Sequence, residues 1–334
     1  MTAIKEVEVQ NEREPILSFV LSWDIPQLVG KLCENKGWLP PTEKAFQLAK
    51  SELVLTVSLA FRASQTVVLE TDNIVRDVES AVRSVRQVTS LPVVTMDPVY
   101  GASLADFAIN TTRGLNADGT IEEIPRPGYP EISIQLDTVV KFLNGNRSVC
   151  LVDAGAYSGD SIKTIIERMR ERDVSVDTVI LGVATTEAQR MLWSIGIRPV
   201  IVNNIRTPID WIEARDFIPF IPLCGRVVNE GVSAGQLSRA LPYLLPEGNP
   251  SDWASIPPGK ETALSIAGWN ASEIIFRSLE EQNRIVLQLS DFVDLPIRVS
   301  YPGSVIPGLT GILDIIRAKR QMVQYQPYAG AEKS

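Results

Sequence analysis

The chain has 334 residues, 45% of them hydrophobic, a net charge of −8 with acidic and basic residues interleaved, and no histidine. Such a length can bury a large core in one large domain or two moderate ones, and the interleaved charge excludes the concentrated Lys/Arg face that nucleic-acid binding needs. Without histidine the usual general base, the commonest transition-metal ligand and the centre of Ser-His-Asp or Cys-His arrangements are missing, which leaves chemistry run by carboxylates, backbone amides, Lys, Arg, Tyr or a substrate-borne Mg²⁺.

Cys33, Cys150 and Cys224 are far apart and lack C-x-x-C spacing, so neither a disulfide framework nor a thiolate metal site is indicated. The first residues are charged where a signal peptide is apolar, and no run reaches the roughly 18 to 20 apolar residues that span a bilayer. The expectation is a cytoplasmic protein with no membrane or nucleic-acid partner; homo-oligomerisation is left open.

In chain order, Pro15 to Leu59 carries helical patterning through Phe19, Val20 and Leu21, then Ile25, Leu28, Val29 and Leu32, then Ala45, Phe46, Leu48 and Ala49. Gly37 and Pro40-Pro41 interrupt it, and Thr42 is placed to cap the next helix. Apolar stretches at Leu53 to Leu59 and Thr66 to Leu69 read as strands, although runs this short are ambiguous. Residues 1–72 are therefore expected to be a mainly helical extension.

From Asn73 a helix with Ile74, Val75, Val78, Ala81, Val82 and Val85 at three- and four-residue spacing opens a β-α-β rhythm. Pro92 to Met96 reads as a buried strand, Asp97 to Ala102 as a loop, and Ser103 to Phe107 as the start of a helix. Thr111 to Ile134 is less regular, with a turn at Asn116-Ala117-Asp118-Gly119 and a helix-excluding loop at Pro125 to Pro130. A short helix at Leu136 to Leu143 leads to a strand at Arg147 to Asp153, a turn at Ala154 to Gly159 and a helix at Asp160 to Arg172. A strand at Thr178 to Val183, a helix at Glu187 to Ser194 and a strand at Pro199 to Val202 continue the alternation. The implied fold is α/β, a doubly wound parallel sheet over residues 73–225. After it, prolines from Pro208 to Pro258 divide the chain into short pieces, read as a C-terminal accessory or cap region at 226–334 with a loose tail.

The turn after Asp153 carries the chemistry. Small residues let main-chain N–H groups approach an anion, the following helix adds its dipole, and serine hydroxyls donate further bonds. An acidic residue at the strand end suits a sugar's hydroxyl pair instead, directly or through Mg²⁺.

Val149-Cys150-Leu151-Val152-Asp153-Ala154-Gly155-Ala156-Tyr157-Ser158-Gly159-Asp160-Ser161 resembles the phosphoribosyl-pyrophosphate motif of type I phosphoribosyltransferases. The resemblance implies that Asp153, the candidate catalytic residue, holds the ribose hydroxyls. It also implies that the loop from Ala154, Gly155 and Ala156 through Tyr157, Ser158, Gly159, Asp160 and Ser161 binds substrate, with Tyr157 to Ser161 cradling the 5′-phosphate. Mg²⁺ would arrive with phosphoribosyl pyrophosphate, the expected phosphorylated small-molecule partner, and phosphoribosyl would pass to a nitrogen nucleophile; no dedicated protein metal site is assigned. The sequence departs from the family at Ala154, where a second acid is usual although uracil-specific members also lack it, and at Asp160, where Gly is usual. By position, Asp97 to Gly101 matches the family's pyrophosphate loop and Arg113 to Pro130 its mobile loop.

Asp153, Gly155 and Gly159 also resemble the first motif of S-adenosylmethionine-dependent methyltransferases, and loss of the catalytic loop would leave a non-catalytic nucleotide sensor. For other residues a structural role is expected: Asp97 in its turn, Arg126 and Tyr129 in a rigid surface connection, Arg168, Arg170 and Arg172 on a solvated face, and Trp193 in the core. Tyr157 is open between loop packing and ligand stacking. Arg215 to Arg226 could approach the base side of the pocket.

Overall fold

The computed structural model describes residues 18–61, 65–97, 99–116, 120–206, 208–229, 239–292 and 310–325. The chain starts with β1 (Ser18–Trp23), α1 (Ile25–Lys36), α2 (Glu43–Ala60), β2 (Gln65–Glu70) and α3 (Thr71–Thr89). Next come β3 (Val93–Thr95), β4 (Phe107–Ala108), β5 (Thr111–Asn116), β6 (Ile121–Pro125) and α4 (Ile132–Leu143). The motif region is β7 (Ser148–Ala156), α5 (Asp160–Arg170), β8 (Ser175–Thr185), α6 (Thr186–Ser194) and β9 (Val200–Ile205). β10 (Pro208–Glu213), β11 (Arg226–Asn229), β12 (Arg239–Leu241), α7 (Pro250–Trp253), α8 (Glu261–Asn283) and α9 (Ile312–Tyr325) complete it.

Five parallel strands in the order β4-β3-β7-β8-β9 form the central sheet. Alternate residues of a strand face opposite sides, and both sides of this sheet are covered. Val149 and Leu151 of β7, with Val179 and Leu181 of β8, pack under Leu136, Ile162, Ile166 and Leu192 of α4, α5 and α6. Cys150, Val152 and Ile180 pack under Ile74, Val78 and Val82 of α3. This is the doubly wound α/β arrangement expected of a parallel sheet with two apolar faces.

A second parallel sheet, β10-β1-β2, joins the N-terminal segment to the strand that follows the central sheet. Its core, with Phe19, Leu21 and Ile212, is shared with α1, α2, α8 and α9. A third sheet, β12-β11-β5-β6, contains the β5–β6 hairpin and joins it to β11 in parallel.

Several expectations are corrected. Ser18–Trp23 is a strand, not helix, and Leu53 to Leu59 lies inside α2. The segment after Asp97 forms only a short 3₁₀ turn, Ala102–Leu104, before β4, and the irregular stretch from Thr111 is a hairpin. The proline-divided C-terminal region contains α8, a helix of 23 residues. Trp193 is 54% exposed instead of buried. Thr42 does cap α2, its side chain accepting from the Ala45 N–H at 3.2 Å, and Gly37 closes α1 in the left-handed conformation. The last residues, 326–334, and the turn at 117–119 lie outside the described residues.

Candidate functional site

A cavity of about 470 Å³ opens where the C-terminal ends of β7 and β10 meet, the edge at which α/β folds collect ligands. All nine residues from Asp153 to Ser161 line it. Gly159 is at φ 88°, a conformation that glycine adopts without strain, and it turns the chain from β7 into α5. The N-cap of α5, Gly159, has no side chain to cap it, the Asp160 N–H donates to Ser158 Oγ at 3.4 Å, and the first-turn residues Asp160, Ser161 and Ile162 line the cavity at the helix's positive dipole end. Ser158 Oγ donates to Asp160 Oδ2 at 2.7 Å, placing the acidic side chain beside the turn.

Gly155 has a packing reason. A Cβ there would collide with the Trp211 ring and lie 2.7 Å from the Val183 carbonyl oxygen. Trp211 of β10 therefore sits directly on β7, anchored by its indole N–H donating to Ser22 Oγ at 2.6 Å. Tyr157 packs on the start of β10, its hydroxyl within donating distance of the carbonyls of Pro208 and Ile209, both at 3.3 Å.

Asp153 Oδ1 accepts from the Ala154 N–H at 2.8 Å. Burial, with Asp97 adding to it, pushes this carboxyl well above the usual carboxylate range. A cation or hydrogen-bond donors in the cavity would reverse that shift. Asp97 is buried and its Oδ1 accepts from Val99 N at 2.7 Å and Tyr100 N at 2.9 Å, the structural role expected of it, yet it also lines the cavity. Arg126 is not a surface connection: its guanidinium turns into the cavity, its buried Nε has no hydrogen-bond partner among the described residues, and burial lowers its pKa against the pull of Asp97.

The facing wall is built by residues far along the chain. Arg215, its side chain 7% exposed, contacts Asp24 at 3.1 Å and pairs closely with Glu213. Arg226 contacts Asp216 at 3.3 Å and donates from Nε to the Tyr243 hydroxyl at 2.6 Å. Arg113 of β5 stands near enough that the Arg226 charge is the main cause lowering its pKa. Of this wall, sequence reasoning reached only the Arg215 to Arg226 stretch and its approach to the pocket. Glu213 and Asp24 gave no signal, because their significance lies in burial beside arginines from another element.

Methyltransferase chemistry needs an acid at the end of β8 for the cofactor ribose. That end is Ala184-Thr185, and the Thr185 hydroxyl is already engaged, donating to the Tyr157 carbonyl and accepting from Ala188 N at 3.1 Å. Among the described residues no cluster of three or more His, Cys, Asp or Glu could hold a metal, and no helix is long and apolar enough to cross a membrane.

No protein-family model matches the chain, and no curated protein matches it in sequence. Solved structures similar to part of it include the orotate phosphoribosyltransferase of Aeropyrum pernix, 17% identical over 40% of this chain and 69% of that one, with a TM-score of 0.25. The Mycobacterium tuberculosis orotate phosphoribosyltransferase in complex with phosphoribosyl diphosphate is 16% identical over 38% and 70%, TM-score 0.25. Leishmania donovani UMP synthase is 14% identical over 40% and 27%, TM-score 0.26. Similarity at this level leaves the functional reading to the cavity itself.

Proposed function

We propose that the cavity binds phosphoribosyl pyrophosphate with Mg²⁺ and that the protein transfers the phosphoribosyl group to a nitrogen nucleophile. The observation that carries this reading is the meeting, in one cavity, of the N-terminus of α5, the Asp153 carboxyl and the Arg126 guanidinium, whose buried Nε has no partner among the described residues. Each suits a different part of one ligand. The first turn of α5, with Ser161, offers donors to the 5′-phosphate; Asp153 accepts from the ribose hydroxyls; Arg126 offers a charge-assisted donor to the diphosphate.

Mg²⁺ is normally held by one or two carboxylates plus substrate phosphate oxygens. Asp97 and Asp153, which both line the cavity, fit that need without a protein cage. The ion's chemistry is to neutralise the leaving diphosphate, while the protein positions both reactants and excludes water.

Calorimetry with phosphoribosyl pyrophosphate, with and without Mg²⁺, tests the reading. Saturable, Mg²⁺-dependent binding is expected, weakened about 10- to 100-fold by Asp153→Ala with the fold intact, the loss of hydrogen bonds to a charged group. Absence of binding, or binding of S-adenosylmethionine instead, would overturn it. Binding without pyrophosphate release for any nitrogen acceptor would refute transfer and leave a sensor.

A further inference from the structure

Resting on that reading, the wall opposite Asp153 identifies how the nucleophile is handled in a protein without histidine. β10 passes over the end of β7 because the Trp211 ring takes the space above Gly155. Glu213, two residues on in the same strand, shares the Trp211 face and lines the same cavity. Its side chain is 18% exposed and held at one oxygen only, Oε2, by Arg215. Oε1 has no hydrogen-bond partner among the described residues. Arg215 is itself fixed on its other side by Asp24. One carboxylate oxygen is thus clamped and the other presented to the cavity, with Arg226 and Arg113 near it.

We propose that Glu213 is a catalytic residue that takes the proton from the attacking nitrogen. The nucleophile's N–H donates to Glu213 Oε1. As the bond from the ribose C1′ to the diphosphate oxygen breaks, the C1′–N bond forms. The nitrogen's proton moves to Glu213 Oε1, and diphosphate leaves with the electron pair of the broken bond. Burial alone would raise the Glu213 pKa, but Arg215, Arg226 and Arg126 outweigh it and hold the carboxylate below its ordinary value. Such a group is a weak base toward a free heterocycle. It becomes competent as bonding to C1′ makes the nitrogen acidic, so the proton moves with or after C–N bond formation. Arg215 and Asp24 are positioning residues.

The test compares native protein, Glu213→Gln and Glu213→Asp for calorimetric binding of phosphoribosyl pyrophosphate with Mg²⁺, and for pyrophosphate release with hypoxanthine, xanthine and uracil as acceptor probes. Glu213→Gln is expected to bind phosphoribosyl pyrophosphate as native protein does while release falls at least about 100-fold, within the range of a lost general base. Glu213→Asp keeps the charge beside Arg215 and should recover part of the rate, which a fold defect in the glutamine variant would not mimic. Native binding and turnover with an unaffected Glu213→Gln would overturn this proposal alone. So would Glu213→Gln failing to bind phosphoribosyl pyrophosphate while Glu213→Asp binds it, because that places Glu213 on the wrong ligand. Binding without release for all three probes overturns transfer, and this proposal with it. Absence of binding by native protein overturns the underlying reading, and this proposal with it.

Discussion

Asp24, Glu213 and Asp216 are three carboxyls served by two guanidinium groups, Arg215 and Arg226. Glu213 is held ionised by them, so the proton goes to its neighbours. Burial is the main cause that raises Asp24 to about 7 and Asp216 to about 6, against the opposing pull of Arg215 and Arg226. The folded protein therefore keeps protons that the unfolded chain releases near pH 4, and stability must fall as pH rises through 6 and 7, by at most about 1.4 kcal/mol per pH unit for each group. For Asp24 the charged and titratable neighbours are Arg215, Glu213, Asp216 and Tyr100. Asp24→Asn removes one of the two titrations. Urea unfolding at pH 6 and pH 8 should show native protein more stable at pH 6, with the difference reduced by about 1.4 kcal/mol in the variant; an unchanged difference would show that Asp24 is ionised throughout. None of this was legible in the sequence, where Asp24 falls inside one continuous helical pattern. The loop from Asp153 to Ser161 was legible because its signal, an acid at a strand end followed by small residues and a helix, is contiguous.

Elements of the central sheet were legible for the same reason. Strands buried on both faces read as apolar runs, and turns bound those at Val93, Val149 and Val179. β1 is equally apolar, but only Asp24 separates it from the apolar stripe of α1, so strand and helix merge into one pattern. α8 was hidden differently: its buried residues surround the helix, Ser265, Gly268, Ser272 and Glu273 among them, and a helix buried on most sides has no stripe to read. Gly268 marks how close its neighbours come. A Cβ there would press on the Leu244 side chain and lie 2.8 Å from the Phe217 carbonyl oxygen, whereas one on Gly30 in α1 would meet nothing within 4 Å. Helix propensity favours alanine at both sites by about 0.8–1 kcal/mol. Gly30→Ala should realise that gain, while Gly268→Ala should be net destabilising, overpacking costing about 1–3 kcal/mol. Thermal unfolding of the two variants decides it; a gain at Gly268 would mean that α8 can move away from the Phe217 turn.

For the whole molecule, the two ends of the chain build one layer. Thr42 N donates to Ser278 Oγ at 3.1 Å, Asn283 bonds both backbone groups of Leu39, and Asn270 donates to Glu52 at 2.7 Å. That layer includes β10, and β10 carries Trp211 and Glu213 to the cavity, so the site's second wall depends on helices distant from it in sequence. α9 closes the layer through Lys319, whose Nζ lies 2.5 Å from Glu247 Oε1 with both side chains 4% exposed. A pair buried this deeply contributes little net stability, yet removing one partner strands the other charge out of water, at a cost of about 3–5 kcal/mol. Lys319→Met should lower stability by that amount, and Lys319→Met combined with Glu247→Leu should recover most of it. Chemical denaturation of both variants measures the difference. If the single variant loses no more than the double, water reaches Glu247 and α9 packs more loosely than its buried Ile312, Ile315 and Ile316 require.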